Sequence, residues 1–353
     1  MNARPTLVEP LPQHRFDERA LDRYLEDHVE FYRGPSRVRQ FQGGQSNPTF
    51  LLETQAATYV LRKKPPGKLL ASAHMIEREF RVQKALAGSA VPVSRMLLLC
   101  EDASLIGTPF YLMSHVAGRI IATADLPGLS PAERKAVYAS LIDTLAALHQ
   151  VDWRAAGLQD FGRPDNYAAR QIDRWTKQYA ASKTDDITEM DELAAWLAAR
   201  LPAGADAAIV HGDYRVGNTI IHPSEPRIAA VLDWELATIG DPLADLAYLC
   251  MAHSMPPGGP GVSGGLAGVD LALLGIPTEM QILAAYARAI SRREIPHWSF
   301  YKALAFFRIA AIVQGVYARG LAGTAADRSA IEQGARVRMM AEIGWRIASE
   351  AKN

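Results

Sequence analysis

Cysteine is nearly missing: Cys100 and Cys250 are the only two in 353 residues. Two thiols cannot build a disulfide framework, and both lie in apolar surroundings that mark them as core. Net charge is missing too. Thirty-eight Lys and Arg balance 38 Asp and Glu, so no overall field recruits nucleic acid. The longest apolar stretch, Ala303 to Ala318, is broken by Arg308 and Gln314 and is no candidate for a membrane span. The N-terminus lacks the basic, apolar and small-residue order of a signal peptide. The nine histidines show neither an H-E-x-x-H motif nor paired metal spacing, which removes the zinc signatures. These absences lead to the expectation of a soluble, cytoplasmic protein with neither a nucleic-acid nor a membrane partner. With 49% hydrophobic and 22% charged residues, the chain is long enough for a large core and two lobes.

What is present is a constellation suited to phosphoryl transfer. His211-Gly212-Asp213-Tyr214-Arg215-Val216-Gly217-Asn218 is followed, after two apolar runs, by Asp233-Trp234-Glu235. In-line transfer needs one carboxylate to take the acceptor hydroxyl's proton, and an amide and a second carboxylate to hold Mg²⁺ against nucleotide phosphates. Asp213 suits the first task, and Asn218 and Asp233 the second. Ala208 to Val210 and Thr219 to Ile221 read as strands, Pro223 to Pro226 as a turn, and Ile228 to Leu232 as the returning strand. Such a hairpin brings Asp233 back beside Asn218. Asp241 directly precedes Pro242, as an N-cap precedes a first-turn proline, and Ala244 to Cys250 supplies the helix. A structural role is expected for Asp241 and Asp245.

Protein kinases carry the same spacing as H-R-D-x-x-x-x-N and D-F-G. Here Gly212 replaces the arginine and Trp234-Glu235 replaces Phe-Gly. With Ile239-Gly240-Asp241-Pro242-Leu243-Ala244-Asp245-Leu246-Ala247 behind it, the pattern resembles the aminoglycoside phosphotransferase and choline kinase-like superfamily. The resemblance implies a bilobal, protein kinase-like α+β fold: a small antiparallel β lobe over residues 1–116 and a mostly helical lobe over 117–353. It also implies ATP and Mg²⁺ as cofactors, a small-molecule hydroxyl as acceptor, and a hydrogen-bonding support role for Asp245 beneath the catalytic loop. From Phe41 to Gly118 and from Val210 to Leu249, the sequence looks most like the kinase-like domain found alone in bacteria or fused to acyl-CoA dehydrogenases in animals. A functional link to such a dehydrogenase follows from that likeness.

A nucleotide-binding region should precede the catalytic loop. Phe41-Gln42-Gly43-Gly44-Gln45-Ser46-Asn47 is a glycine turn whose amides and Ser46 hydroxyl could approach phosphate oxygens. Thr49 to Glu53 and Ala57 to Arg62 flank it as strands. Arg62 stands where kinases place the phosphate-gripping lysine, with Lys64 as the other choice. Period-two alternation puts Arg62 on the face of Val60 and turns Lys63 away. Ser72 is a plausible N-cap for a helix Ala73 to Leu86 with Ile76 and Phe80 on its apolar stripe. Glu79 on that helix matches the family's partner for the cation, and Glu77 is the runner-up. By the same resemblance, the backbone of Ser114 and Val116, after a strand Pro109 to Met113, would contact the adenine edge.

The remainder reads as helix. Ser130-Pro131-Ala132-Glu133 is a capping box with proline at the first helical position, opening a helix to His149. Helical patterns follow at Glu18 to Val29, Ala168 to Tyr179, Asp191 to Arg200, Glu279 to Ile290, Phe300 to Gly320 and Asp327 to Ser349. Pro256 to Gly268 is a glycine-rich loop, either over the substrate side or a surface insertion. Leu271 to Asn353 holds eleven Lys and Arg against six Asp and Glu. Such a surface repels polycationic aminoglycosides and attracts a carboxylate or a coenzyme A phosphate. Arg308 interrupts the apolar run Leu304 to Val313, and a buried guanidinium calls for an anionic partner. It is the candidate acceptor contact, for a hydroxy acid or hydroxyacyl-CoA. An antibiotic-inactivating kinase and a nucleotide-binding scaffold without activity are the alternatives.

Overall fold

Alternation along a short strand organises the first part of the protein. In a computed structural model that describes residues 6–42, 47–67, 74–204, 206–258, 264–324 and 328–351, Thr58–Lys63 forms a strand that sends Tyr59 and Leu61 to one hydrophobic cluster and Val60 to another. In chain order the elements up to residue 114 are β1 (Leu7–Val8), α1 (Glu18–His28), β2 (Arg37–Phe41), β3 (Thr49–Glu53), β4 (Thr58–Lys63), α2 (Ile76–Ala85), β5 (Met96–Cys100) and β6 (Phe110–Ser114). The strands make one antiparallel sheet of order β1-β2-β3-β4-β6-β5. One face packs on Leu21 and Leu25 of α1, with Phe50, Leu52, Leu61, Phe110 and Leu112. The other face packs Leu51, Val60, Tyr111 and Met113 on Ile76 and Phe80 of α2.

Beyond the sheet follow α3 (Pro131–Gln150), α4 (Tyr167–Ser182), α5 (Thr188–Ala198), β7 (Ala208–Val210), β8 (Thr219–Ile221), β9 (Ile228–Val231), β10 (Thr238–Gly240), α6 (Leu243–Cys250), α7 (Leu271–Leu274), α8 (Glu279–Ala289), α9 (Trp298–Leu321) and α10 (Gly334–Ser349). The chain divides into two compact units. The first is Met1–Ile121 with Arg154–Phe161 and Asn218–Ala237; the second is Ala122–Trp153, Gly162–Gly217 and Thr238–Asn353.

In the second unit α9 is the central helix. Among the described residues it alone is long and apolar enough to cross a membrane, but Phe300, Leu304, Phe306, Phe307 and Ala311 are buried and it packs on α4, α5, α6 and α10. Its apolar length serves a core. The Ser130 capping box of α3 forms as expected, the Ser130 hydroxyl accepting the Glu133 amide and the Glu133 side chain returning to Ser130. A second box, Thr278 with Gln281, opens α8.

Several boundaries differ from the sequence expectation. Helix α5 begins at Thr188, three residues before Asp191, because Met190 is fully buried and draws the first turn into the core. Helix α2 begins at Ile76; the expected cap Ser72 and start Ala73 lie outside the described residues. The last helix starts at Gly334 behind a 3-10 turn, Arg328–Gln333, and the expected start Asp327 also lies outside them. Strands β2 and β10 were not anticipated. Polar Arg37, Arg39 and Gln40 disguise the first, and three residues are too few for a pattern in the second.

One glycine fixes a close approach within the first unit. Arg119 and Ile221 exchange backbone hydrogen bonds of 2.8 and 2.9 Å. A Cβ on Gly118 would stand 2.2 Å from Ile220 Cγ2 and 2.4 Å from the Ile221 carbonyl oxygen. Gly118→Ala should therefore cost about 1–3 kcal/mol, the usual penalty of overpacking, measured as a lower urea midpoint. An unchanged midpoint would show that this bridge adapts freely.

Candidate active site

In the first unit, the expected cation and its glutamate meet. Arg62 Nε lies 2.9 Å from Glu79 Oε2, both side chains largely buried. Lys64 instead pairs with Glu77, at 3.0 Å. The alternation of β4 separates the choices: Lys63 is buried on the opposite face, its ammonium 5.0 Å from the Phe16 ring centre. Glu79 is also held by the Tyr111 hydroxyl at 3.0 Å and by the Asn47 amide at 2.8 Å. Burial pushes its carboxyl up to about 7, against the opposing pull of Arg62 and the Tyr111 hydroxyl.

The same guanidinium reaches the second candidate metal ligand. Arg62 Nη2 is 3.4 Å from Asp233 Oδ1 and 3.6 Å from Glu235 Oε2. Asn218 and Asp233 are neighbours through the β8–β9 ladder, in which Thr219 pairs with Val231 and the Leu232 amide donates to the Asn218 carbonyl at 2.8 Å. Asp233 has φ 64° and ψ 62°. This left-handed conformation is one that Asp tolerates better than most residues, and it is enriched at functional sites. Its side chain remains 38% exposed, open to a ligand. Asn218 and Asp233 offer hard oxygen donors, a set that fits Mg²⁺, which keeps several waters and shares phosphate oxygens.

The remaining nucleotide contacts are less defined. Ser46 and the two glycines beside it lie outside the described residues. The Ser114 amide donates to the Arg95 carbonyl at 2.9 Å, and its hydroxyl accepts the Arg95 amide at 3.0 Å. That amide is therefore committed within the sheet unit. Val116, two residues on, is half-buried outside the strand.

In the second unit, a buried carboxylate shapes the loop that carries Asp213. Asp245 on α6 is fully buried and accepts the backbone amides of His211 at 2.6 Å and Gly212 at 2.8 Å. His149 Nε2 approaches it at 3.5 Å, and His149 Nδ1 lies 2.6 Å from the Tyr286 hydroxyl. Burial would push the Asp245 carboxyl up, but the His149 bond, the charges of His149 and His211 and the His211 amide together hold it below its ordinary value. The expected support role of Asp245 has this geometry. Gly212 has φ 85°, a left-handed position that favours glycine, which is the local reason for H-G-D in place of H-R-D. The Asp213 amide donates to His211 Nδ1 at 3.2 Å. Asp241, one residue before Pro242 at the N-cap of α6, accepts Leu243 N–H at 3.0 Å and the Tyr301 hydroxyl at 2.5 Å.

Arg308 on α9 lies between aromatic rings, 5.7 Å from the Trp175 centre and 5.5 Å from the Tyr248 centre. Among the described residues no carboxylate pairs with it, and its buried Nε has no hydrogen-bond partner. Stacking on these two rings meets part of the cost of its charge. Arg308 lines a small pocket with Tyr167, Gln171, Ala244, Tyr248, Tyr301, Leu304 and Ala305. Sequence reasoning missed Tyr248, which borders this pocket and places its ring under the Arg308 guanidinium. The available signal was its position three residues after Asp245, on the same helix face.

A small antiparallel sheet unit with an Arg–Glu pair and a mostly helical unit with an H-G-D loop define a kinase-like α+β fold. The sequence matches the model of the phosphotransferase enzyme family over residues 37–303, and the chain belongs to that family. It is 45% identical to rat acyl-CoA dehydrogenase family member 11 over 97% of this chain and 44% of that protein. It is also 45% identical to mouse acyl-CoA dehydrogenase family member 10 over 94% of this chain and 31% of that one. The chain thus spans less than half the length of these relatives. A crystal structure from Ralstonia eutropha, of a candidate aminoglycoside phosphotransferase, shares 48% identity with a TM-score of 0.88 over 96% of this chain and all of that one. Aminoglycoside phosphotransferase APH(4)-Ia, solved with ADP and hygromycin B, is 17% identical with a TM-score of 0.60 over 95% of this chain and 99% of that one, a likeness of fold.

The Asp245 clamp generates a signed prediction. A carboxyl held below its unfolded value stabilises the protein above that unfolded value, ~3.9, and the contribution is lost as pH falls through the folded value. Asp245→Asn places an NH₂ against two backbone donors and should cost about 1–3 kcal/mol at pH 7. In urea unfolding the gap from wild type should narrow below about pH 4. A gap constant down to pH 3 would remove the carboxylate's charge from the account.

Proposed function

We propose that this protein is an ATP- and Mg²⁺-dependent phosphotransferase acting on the hydroxyl of a small acidic molecule, a hydroxy acid or hydroxyacyl-CoA. The observation that carries the reading is Arg62, one guanidinium pinned by Glu79 at 2.9 Å and shared with Asp233 at 3.4 Å. That is the cation–acid arrangement used on nucleotide phosphates next to a metal. Family membership supports it. In this reading Asp213 accepts the proton as the acceptor's oxygen bonds to the γ-phosphorus and the bond to ADP breaks. Asn218 and Asp233 would hold Mg²⁺, whose charge neutralises the phosphate oxygens. Arg62 steadies the nucleotide side, arginine's planar fork suiting phosphate as lysine's point charge does elsewhere.

The acceptor class rests on Arg308. A guanidinium stacked on two rings, with no carboxylate pairing it among the described residues, fits an anion brought by the acceptor and disfavours a polycationic aminoglycoside. The relatives' acyl-CoA dehydrogenase names add a link to acyl-CoA chemistry. Asp213, Asn218 and Asp233 together argue for a transferase over a nucleotide-binding scaffold.

Phosphate transfer from ATP to a panel of hydroxy acids and hydroxyacyl-CoAs tests the activity. Asp213→Asn should lower kcat by roughly 10²- to 10⁴-fold, the contribution of a positioned base, with ATP affinity retained. Asp233→Ala should instead abolish the Mg²⁺-dependent part of ATP binding in calorimetry. ATP binding that is indifferent to Mg²⁺ in the wild type would end the metal assignment.

Arg308→Ala separates acceptor from nucleotide. KM for the acidic acceptor should rise at least about tenfold, the scale of one lost charged contact, while KM for ATP holds. Preferential phosphorylation of a cationic aminoglycoside over every acid in the panel would defeat the acceptor class.

A further inference from the structure

A carboxylate and a guanidinium bind most strongly as a two-pronged fork, each oxygen taking one N–H. Glu79 and Arg62 do not meet that way. Arg62 Nε lies 2.9 Å from Glu79 Oε2, yet its N–H is not aimed at that oxygen, and among the described residues the buried Nε has no hydrogen-bond partner. The contact is one of charge. Both carboxylate oxygens are held by other donors: Oε1 accepts the Asn47 side-chain amide at 2.8 Å, and Oε2 accepts the Tyr111 hydroxyl at 3.0 Å. Held at both ends, the carboxylate cannot turn its plane to face the fork.

Sheet register decides which side chains arrive. Arg62 on β4 pairs with Thr49 on β3 and with Tyr111 on β6, so the tyrosine stands beside it on the face that packs against α2. Asn47 precedes Thr49 by two residues, the period of a strand. It is buried, and its carbonyl end faces His74 Nδ1 at 3.1 Å, which leaves the NH₂ end for Glu79. Asn47 also closes the glycine motif Phe41 to Asn47, a position that nothing in the reading of the site has yet used.

We propose that Asn47 is a positioning residue of the nucleotide site: with Tyr111 it holds the Glu79 carboxylate so that Glu79 neutralises Arg62 by charge and leaves the guanidinium N–H donors to a nucleotide phosphate. This rests on the nucleotide-binding part of the reading given above. A forked carboxylate would occupy two of the five guanidinium donors and lock its plane. Here Nε–H is buried without a partner, a state that calls for an acceptor brought from outside. Nη2 donates to Asp233 Oδ1 at 3.4 Å, longer than a usual N–H···O bond. Arg62 is anchored without being used up.

Calorimetry of Mg·ATP binding tests the assignment. Asn47→Ala frees Oε1, and the released Glu79 should close on Arg62; the Kd should rise at least about tenfold, the scale of one hydrogen bond to a charged group. Lysine offers no fork to close on. In an Arg62→Lys background, Asn47→Ala should therefore raise the Kd by less than about twofold. Equal rises in both backgrounds would overturn the proposal, as would an unchanged Kd in the single variant. Tyr111→Phe releases the other oxygen without altering Asn47 and should reproduce the pattern, which keeps the test decisive if Asn47→Ala does not fold.

A second arm needs no nucleotide. In protein with ¹⁵N-labelled arginine, the Nε–H resonance missing from Arg62→Lys identifies Arg62, and it should move downfield in Asn47→Ala and in Tyr111→Phe as the N–H becomes bonded to Glu79. A resonance that stays in place would overturn the proposal. If the wild type binds no Mg·ATP, the nucleotide reading falls instead, and this resonance alone decides whether Asn47 keeps Glu79 off the Arg62 donors.

Discussion

A carboxylate with no exposure to solvent governs the helical unit. Burying Asp245 without partners would cost more than the fold could absorb, and its neighbours supply what water would have given: two backbone amides and the His149 ring. The exchange has a structural yield. Amides of successive residues point at one carboxylate only if the chain turns sharply, and the turn is made at Gly212 with φ 85°. The backbone that carries Asp213 is therefore set from helix α6 behind it. Asp241, four residues before Asp245, anchors the start of the same helix to Tyr301 on α9. The loop inherits its rigidity from the core helix behind it.

Where side-chain direction follows from periodicity, the sequence was legible. The strands Thr49–Glu53 and Met96–Cys100 were readable to the residue, as were the end of Ala208–Val210 and the start of Thr219–Ile221 beside the H-G-D loop. On β4 the period-two argument separated Arg62 from Lys63, and only the structure separated Arg62–Glu79 from Lys64–Glu77. Both glutamates lie in the first turn of α2, and their difference is the arrival of Asn47 and Tyr111 at Glu79. These come from segments 32 residues away on either side, beyond any local pattern. Tyr248 was hidden for another reason. An aromatic residue in an apolar helix reads as packing, and only the guanidinium over its ring reveals a second contact.

Arg308 shows how part of the cost of a charge can be met inside the protein. A charged residue in the apolar run of α9 signalled an unusual environment, and the expectation of an anion brought by the acceptor followed from the cost of isolating a charge. Guanidinium differs from ammonium in being planar and weakly hydrated, so aromatic faces can meet part of that cost. Trp175 and Tyr248 do so. A lysine at this position would lack both the stacking plane and the fork that remains for an oxyanion.

Charge balance around Arg62 bears on the proposed metal in a similar way. One guanidinium faces Glu79, Asp233 and Glu235, while the nearby Lys64 is engaged by Glu77. Burial holds Glu79 toward its neutral form, the Glu79 carboxyl being raised to about 7. The remaining two acids still outnumber the cation, and the excess falls on the more exposed side, at Asp233. Negative charge left beside an oxygen-donor pair is poorly satisfied by a protein alone and well satisfied by a divalent ion that arrives with phosphate. An arginine that shared its charge equally among all the acids would compete with such an ion. Its closest contact is instead with Glu79, the most buried of the three, which leaves Asp233 the weaker claim on the guanidinium and the freer hand for a metal.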